Sequence, residues 1–492
     1  MYQKIIHIER WLLIMDEFRD EQQRPAAPRR RKKSKVQQFK ETYLPFVIAG
    51  LAVVLILIFI IGAITRGVQK RKYIQETAQN AAMQQEQQKA QLALEEQALL
   101  VQADALAESY DYEGAIAVLD TFSGDIRQYP TLNGRRAEYA LALSQMVAWD
   151  NPSQVVSLSF QMLIADLQMA LRHQTYAQTI LNSFITTQEF TKILQELYDN
   201  GYILVTPDDF INAEVNAQGQ TVYSAKTLYL PAGKRPLMLT QTNVNYNLYL
   251  VDSDGDRKAD KYGGGFASKL VLDSSGDITC EMVNASGQTV YGDFDLVPIL
   301  DAFVEENPDF SYRGAKAVLA LTGYNGLFGH RTYAEAIQIF GQEAYDDAVI
   351  QAERVAARLR ETGYVLACYT YDNISYGDAS IVEIERDLVR WNNEVVPILG
   401  QVDMLVYAQG DDIASGKLYS GDKYEALKQN GFTHFIGFCD GNTNWFYGDT
   451  GYVRHGRILV TGNNLANHSD WFMGMFYAAN VLDPARSSLS KE

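Results

Sequence analysis

Four stretches decide the fold: LYDNGYILVT at 197–206, RLRETGYVLACYT at 358–370, VVPILGQVDMLVY at 395–407 and LKQNGFTHFIGF at 427–438. In each, a helical pattern ends at a glycine (Gly201, Gly363, Gly400, Gly431) and a strand-like apolar run begins two or three residues later. Glycine suits the left-handed position that closes a helix, and the immediate strand leaves only a tight connection. Repeated helix–glycine–strand units predict an α/β fold with a largely parallel sheet, as a barrel or a doubly wound sheet. Chemistry in such folds collects at the carboxyl ends of the strands.

This texture begins after Asn151 and is expected to run as one domain over 151–485. Between 209 and 295, turn signals such as Ala217-Gln218-Gly219 and Ser274-Ser275-Gly276 predict hairpins inserted into it.

Upstream, LPFVIAGLAVVLILIFIIGAI at 44–64 carries no charge. About 20 apolar residues span a hydrocarbon core of about 30 Å as a helix, whereas the apolar part of a cleaved signal is about 7–15 residues. A single uncleaved span over 43–66 is therefore expected. Arg24, Arg29, Arg30, Arg31, Lys32, Lys33, Lys35 and Lys40 precede it, against Arg66, Lys70, Arg71 and Lys72 after it. The positive-inside rule then places the basic tail, 1–42, in the cytoplasm and the bulk of the chain outside. The tail can also touch anionic headgroups. Met15, which opens the acidic MDEFRDEQQ, is an alternative start to Met1.

From 67 to 106 the chain is rich in Gln, Ala and Glu, with no Pro and no Gly after Gly67. That predicts a long helical stalk, with self-association through it only weakly supported because strict heptads are not sustained. Over 107–150 a helical hairpin of the tetratricopeptide kind is expected, turning at Asp111, with one further helix in RRAEYALALSQMV. No 34-residue period recurs, so a small module and not a solenoid is predicted.

The chain of 492 residues has a formal net charge of −17, and the basic cluster lies before the span. An acidic exterior part argues against nucleic acid as a partner. Cys280, Cys368 and Cys439 form no CxxC pair and read as small apolar residues. None of the six histidines lies within four positions of another, and no GxSxG elbow, HExxH helix or P-loop occurs.

The pieces VVSLSFQML at 155–163, KRPLMLTQTNVNY at 234–246, YVLACYTYDNIS at 364–375 and MLVYAQGDDI at 404–413 carry a resemblance. In order and spacing they resemble the polysaccharide deacetylases, the family 4 carbohydrate esterases with the NodB homology fold. The phrases DLVPILDAFVEENPDFSYRGAKAVLALTGYNG, ELYDNGYILV and VLDPAR are similar to a membrane-anchored clostridial branch. The resemblance implies a distorted (β/α) barrel preceded by the transmembrane helix, stalk and helical module, on a bacterial cell membrane of Gram-positive type. It also implies a divalent metal, such as zinc, held by one Asp and a His-x-x-x-His pair, with a second Asp as base to activate water.

This chain departs from that pattern. Thr242 and Asn243 stand where the family has Asp-Asp, and Tyr369 and Asn373 where it has the two histidines. Gln161 replaces a histidine common near the end of the first strand, and the loop motif reads YAQG over Tyr407–Gly410. A zinc site needs charged carboxylate and imidazole donors, so no cofactor is expected in the barrel. The resemblance with these changes implies a pseudoenzyme that binds peptidoglycan or another N-acetylated glycan. Its groove is expected to include Gln161, Tyr371, Tyr407, Gln409, Asp412 and Trp445. A deacetylase with an altered constellation and a protein-interaction scaffold are the alternatives.

One more ion site is expected independently of the family. VDSDGDRKADKYGGG sets Asp252, Asp254, Asp256 and Asp260 around Gly255, an alternation that can converge on calcium. The competing reading is an acidic surface turn.

Overall fold

The computed structural model describes residues 36, 39–40, 43–172, 176–252, 263–414, 416 and 418–489. It divides into two units, Met1–Gln91 and Leu92–Glu492. The described part of the first is dominated by helix α1, Leu44–Glu108, which is 65 residues long and continues into the second. Span and stalk are thus one uninterrupted helix, its only proline, Pro45, lying in the first turn where the missing N–H costs nothing. Its apolar window has a mean hydropathy of 3.2 and no buried residue, which makes it a candidate membrane span.

In the second unit the last turns of α1 pack with α2 (Tyr112–Leu119) and α3 (Pro130–Ser144) around Ala103, Ala115, Leu119, Leu132 and Tyr139. The turn into α2 is fixed by Asp111, whose side chain accepts the Gly114 N–H at 3.2 Å. That bond satisfies one of the donors a helix start leaves open.

Seven parallel strands then close on themselves in chain order. They are β1 (Val156–Phe160), β2 (Arg235–Thr242), β3 (Val318–Leu321), β4 (Val365–Cys368), β5 (Met404–Val406), β6 (His434–Phe438) and β7 (Tyr452–Leu459). β7 returns to β1 through Ile458 opposite Leu158 and Leu459 opposite Ser159. Alternation sends Leu158, Leu239, Leu319, Leu366, Leu405 and Phe435 out against the helices, while Met238, Val318, Ala320, Ala367, Val406 and Ile436 face inward. This is a distorted (β/α) barrel, the architecture the resemblance implies.

The distortion has two sources. β2 and β3 share only Thr240–Thr242 against Val318–Ala320, and β4 meets β5 at the single pair Cys368–Leu405. Below the first of these, the short strand Tyr202–Leu204 pairs with Arg235–Leu237. The first helix–glycine–strand unit therefore supplies a wedge in the seam, not a full barrel strand. At all four junctions the glycine has a positive φ, from 75° at Gly400 to 94° at Gly363.

Two insertions flank β2: a hairpin, Ile211–Val215 with Thr221–Ala225, and a meander of Lys269–Leu272, Ile278–Val283 and Thr289–Gly292. β2 itself falls on the piece at 234–246 that carries part of the resemblance. Val155, Ile203, Phe210, Leu228, Leu230 and Tyr312 fill the amino-terminal end of the barrel, joined by Tyr110 from the helical module. Asp309 ties this end together, accepting from Tyr198 Oη at 2.8 Å and Lys234 Nζ at 3.1 Å, while Arg313 Nη2 donates to Glu113 at 2.9 Å. The helical module is fastened beneath the barrel, and the carboxyl ends of the strands are left for the long loops.

The last turns of the chain clasp the barrel near its start. Glu189 is fully buried in the helix Thr187–Asp199. Its carboxylate accepts from Arg486 Nη2 at 2.7 Å and from the Asp483 N–H at 2.9 Å. Arg486 also donates to the carbonyls of Leu181 and Phe184. Removing one partner of a buried pair strands the other charge, at a cost of about 3–5 kcal/mol. Arg486→Ala is expected to destabilise the barrel by that amount, read as a lower urea midpoint. A change under about 1 kcal/mol would show that the clasp is dispensable.

Candidate functional site

The four positions that the resemblance singles out lie at the carboxyl ends of β2 and β4; the side chains of three are hydrogen-bonded, and the Asn373 Oδ1 is buried with no partner. Thr242 Oγ1 donates to the Phe160 carbonyl across to β1 at 3.2 Å. Asn243 Oδ1 accepts from Thr322 Oγ1 at 3.5 Å. The Tyr369 hydroxyl accepts the Gln409 N–H at 3.3 Å, and the Asn373 carbonyl accepts from Gln409 Nε2 at 3.3 Å. Asn243, Thr370, Asn373 and Gln409 all have left-handed backbones, with φ from 55° to 64°. Such conformations cost about 1–2 kcal/mol outside glycine and persist where the surroundings impose them. The donors here are a hydroxyl, two amides and a phenol. They do not fit a divalent metal that needs a carboxylate and two imidazoles. Among the described residues, no three of His, Cys, Asp or Glu cluster closely enough to hold a metal ion.

Carboxylates do stand at this end, and they hold loops. Asp295, fully buried, accepts from the Leu163 N–H at 2.9 Å, Gln241 Nε2 at 2.8 Å and the Tyr246 hydroxyl at 2.7 Å. Burial pushes its carboxyl up against the opposing pull of these bonds. Asp387 accepts from the Tyr371 and Asp372 N–H groups and the Tyr376 hydroxyl, so it fixes the loop after β4. Asp412 takes Arg454 Nη2 and the Tyr419 hydroxyl, each at 2.6 Å.

The residues expected to share a groove fall into different places. Tyr407 is fully buried, with its hydroxyl on that of Tyr419 at 2.8 Å, so it lines no groove. β5 ends one residue earlier, at Val406, and Tyr407 continues its outward face. Gln161 is half-buried. Asp412 and Trp445 share a cavity of about 630 Å³ that Gly437, Asp440, Asn444 and Arg454 also line. Gln409 and Asn373 line a second, of about 480 Å³.

Tyr371 reaches a third, of about 460 Å³, formed by the loops after β2, β3 and β4. Its ring lies under the Arg390 guanidinium at 4.2 Å, and its hydroxyl donates to Glu394 at 2.6 Å. The sequence reading missed the aromatic residues that make this cleft distinctive. Tyr249 and Tyr324 are 41% and 47% exposed there, with Tyr333, Asn325, Asp372 and Arg390 beside them. Exposed tyrosines flanked by fixed polar groups suit a flat ligand with hydroxyls and amides. Asp252 lines the same cleft, whereas Asp254, Asp256 and Asp260 of the expected calcium loop lie outside the described residues.

Two histidines face the barrel interior among its apolar residues. His434 and His455 sit 4.9 Å apart between ring centroids and are buried. Burial holds the His455 imidazole down at about 4 and His434 well below its ordinary 6.5; His330, bonded to the Leu270 carbonyl, is also held at about 4. The folded-state values are depressed, so the unfolded chain takes up these protons first. Stability is full above about pH 6.5 and falls as the pH drops toward 4. Replacing His455 by Gln is expected to flatten the decline of the urea midpoint between about pH 7 and pH 5. An unchanged slope would mean that His455 protonates alike in both states.

No family model matches the chain, and no curated protein matches it in sequence. Two solved structures are similar to it. One is the Streptococcus pyogenes deacetylase PplD in complex with acetate, at 11% identity and a TM-score of 0.32, covering 64% of this chain and 95% of that one. The other is a de-N-acetylase from Aggregatibacter actinomycetemcomitans, at 10% identity and a TM-score of 0.29, covering 63% and 95%. Likenesses this distant assign no residue roles, and the barrel stands on its own strand pairing.

Proposed function

We propose that the chain is a membrane-anchored, extracytoplasmic protein of the polysaccharide-deacetylase type that binds N-acetylated cell-wall glycan without hydrolysing it. The observation that carries this reading is the neutral chemistry of the four strand-end side chains. Thr242, Asn243, Tyr369 and Asn373 offer only neutral oxygens, and the nearby carboxylates Asp295 and Asp387 are spent on backbone and hydroxyl donors. A hydrolase of this kind needs a charged metal site and a base, and a threonine hydroxyl cannot take a proton near neutral pH.

The cleft at Tyr249, Tyr324 and Tyr371 supports the glycan part of the proposal. It opens beside the altered positions, at the end of the barrel away from the helical module. The basic residues before α1 support an amino terminus in the cytoplasm.

The full chain in detergent, supplied with zinc, is expected to release no acetate from N-acetylated chitooligosaccharides and to be retained on peptidoglycan. Tyr324→Ala and Tyr249→Ala are each expected to weaken retention about tenfold, the equivalent of one aromatic platform at about 1.4 kcal/mol. Stoichiometric zinc with turnover would establish the active deacetylase instead, and absence of retention would favour a protein-interaction scaffold.

A further inference from the structure

The tyrosine cleft carries more carboxylate than its cation can balance. Among the described residues its lining includes Asp252, Glu335 and Asp372, with Arg390 as the one cation. That cation is already committed. Its Nη2 donates to Glu335 at 3.1 Å and to the Tyr371 hydroxyl at 3.0 Å, its Nε to Glu394 at 3.1 Å, and its Nη1 to Asp372 at 3.5 Å. The next guanidinium along, Arg331, is turned to the carbonyls of Tyr246 and Asn325. Counting Glu394, four carboxylates stand against these two guanidiniums. Burial pushes the Asp372 carboxyl up against the pull of Arg390, and the charges of Glu394 and Glu335 act in the same direction as burial. A further cation beside Asp372 and Glu335 relieves that crowding.

The rest of the wall is aromatic and preformed. Tyr249, Tyr324, Tyr333 and Tyr371 line the same cavity of about 460 Å³, a volume within the range of small-ligand sites. Tyr249 is held edge-on by Tyr176, with ring centroids 5.9 Å apart. Burial, with the Tyr324 phenol close by, pushes the Tyr249 hydroxyl up to about 12, so it stays neutral. The Tyr324 N–H donates to the Tyr371 carbonyl at 2.9 Å and the Leu248 N–H to Asn325 Oδ1 at 3.0 Å, which joins the loops after β2, β3 and β4. Aromatic rings and carboxylates favour the same guest: π faces attract cations, and carboxylates accept their N–H donors. An acetamido group suits the carboxylates poorly, because they repel its carbonyl and its single neutral N–H is a weaker donor than the three of an ammonium.

We infer that the cleft selects hexosamine units whose amine is free, so that the glycan it recognises best is a partly de-N-acetylated chain. The ammonium is met by Glu335 and Asp372, and the flat faces of the sugars lie on Tyr249 and Tyr324. The inference rests on the glycan reading of this cleft and deepens it by naming the sugar. De-N-acetylation, a hydrolysis that replaces the acetyl group on nitrogen by hydrogen and releases acetate, must supply such a ligand. On the same reading the neutral strand-end site of this chain does not perform that step, so an active deacetylase working on the same polymer precedes it.

Isothermal titration of the full chain in detergent compares the glucosamine tetramer with its fully N-acetylated counterpart, at about pH 6, where amines are protonated, and about 0.15 M salt. The free-amine tetramer is expected to bind about tenfold more tightly. Glu335→Gln and Asp372→Asn, each of which removes one charge in place, should cut that preference to about threefold singly and abolish it together. Binding of the N-acetylated tetramer should change by less than about twofold in both, which shows that the cleft is still folded. Equal affinity for the two tetramers, or tighter binding of the N-acetylated one, would overturn the inference and leave the glycan reading intact. No binding of either would overturn both. A free-amine preference that survives in the double variant would belong to the general charge of −17 and would likewise overturn the assignment to the cleft.

Discussion

Closure of the sheet is the constraint on which the rest of this structure depends. The three-residue contact between Thr240–Thr242 and Val318–Ala320 joins the last open edges and turns a parallel sheet into a barrel. Closure removes exposed edges, yet it also creates an inner face of fixed circumference whose side chains must fill a limited volume. At the amino-terminal end that volume is filled by apolar residues, some contributed by the insertions and by Tyr110 of the helical module. Higher up, Ser157, Ser159, Thr240 and Arg457 replace bulk with polarity. The seam itself is short because Tyr202–Leu204 takes the other half of β2, so the barrel is closed with little pairing to spare.

The same economy governs the mouth. Its acidic groups are anchors: Asp295 joins the ends of β1 and β2, Asp387 holds the loop after β4, and Asp412 pairs with Arg454. A carboxylate saturated by backbone and hydroxyl donors is a poor ligand and a poor base, because binding a metal would require giving those bonds up. The left-handed residues Asn243, Thr370, Asn373 and Gln409 are held by this framework.

Legibility in the sequence followed the range of each interaction. The glycine junctions were readable because a helix ending in a left-handed residue is a local event, and all four glycines take positive φ. The apolar span and the continuous helix after it were readable for the same reason. Groove membership was not. Tyr407 and Trp445 both follow strands and both are aromatic, but one is buried against Tyr419 and the other lines an open cavity. Tyr249 and Tyr324 come from separate loops and form one cleft only when β2 and β3 pair.

By itself, then, the sequence determined the repeated helix–strand units, the candidate span and the neutral chemistry of positions 242, 243, 369 and 373. Each of these depends on residue type and near-neighbour spacing alone. Only the tertiary structure decided which strand became a wedge, which tyrosines face solvent, and that Arg457 lies inside the barrel in register with Ser157. The physical reason is closure: strand register brings residues hundreds of positions apart into one layer, such as Ser159 beside Leu459, and local patterning carries no record of which layers will meet.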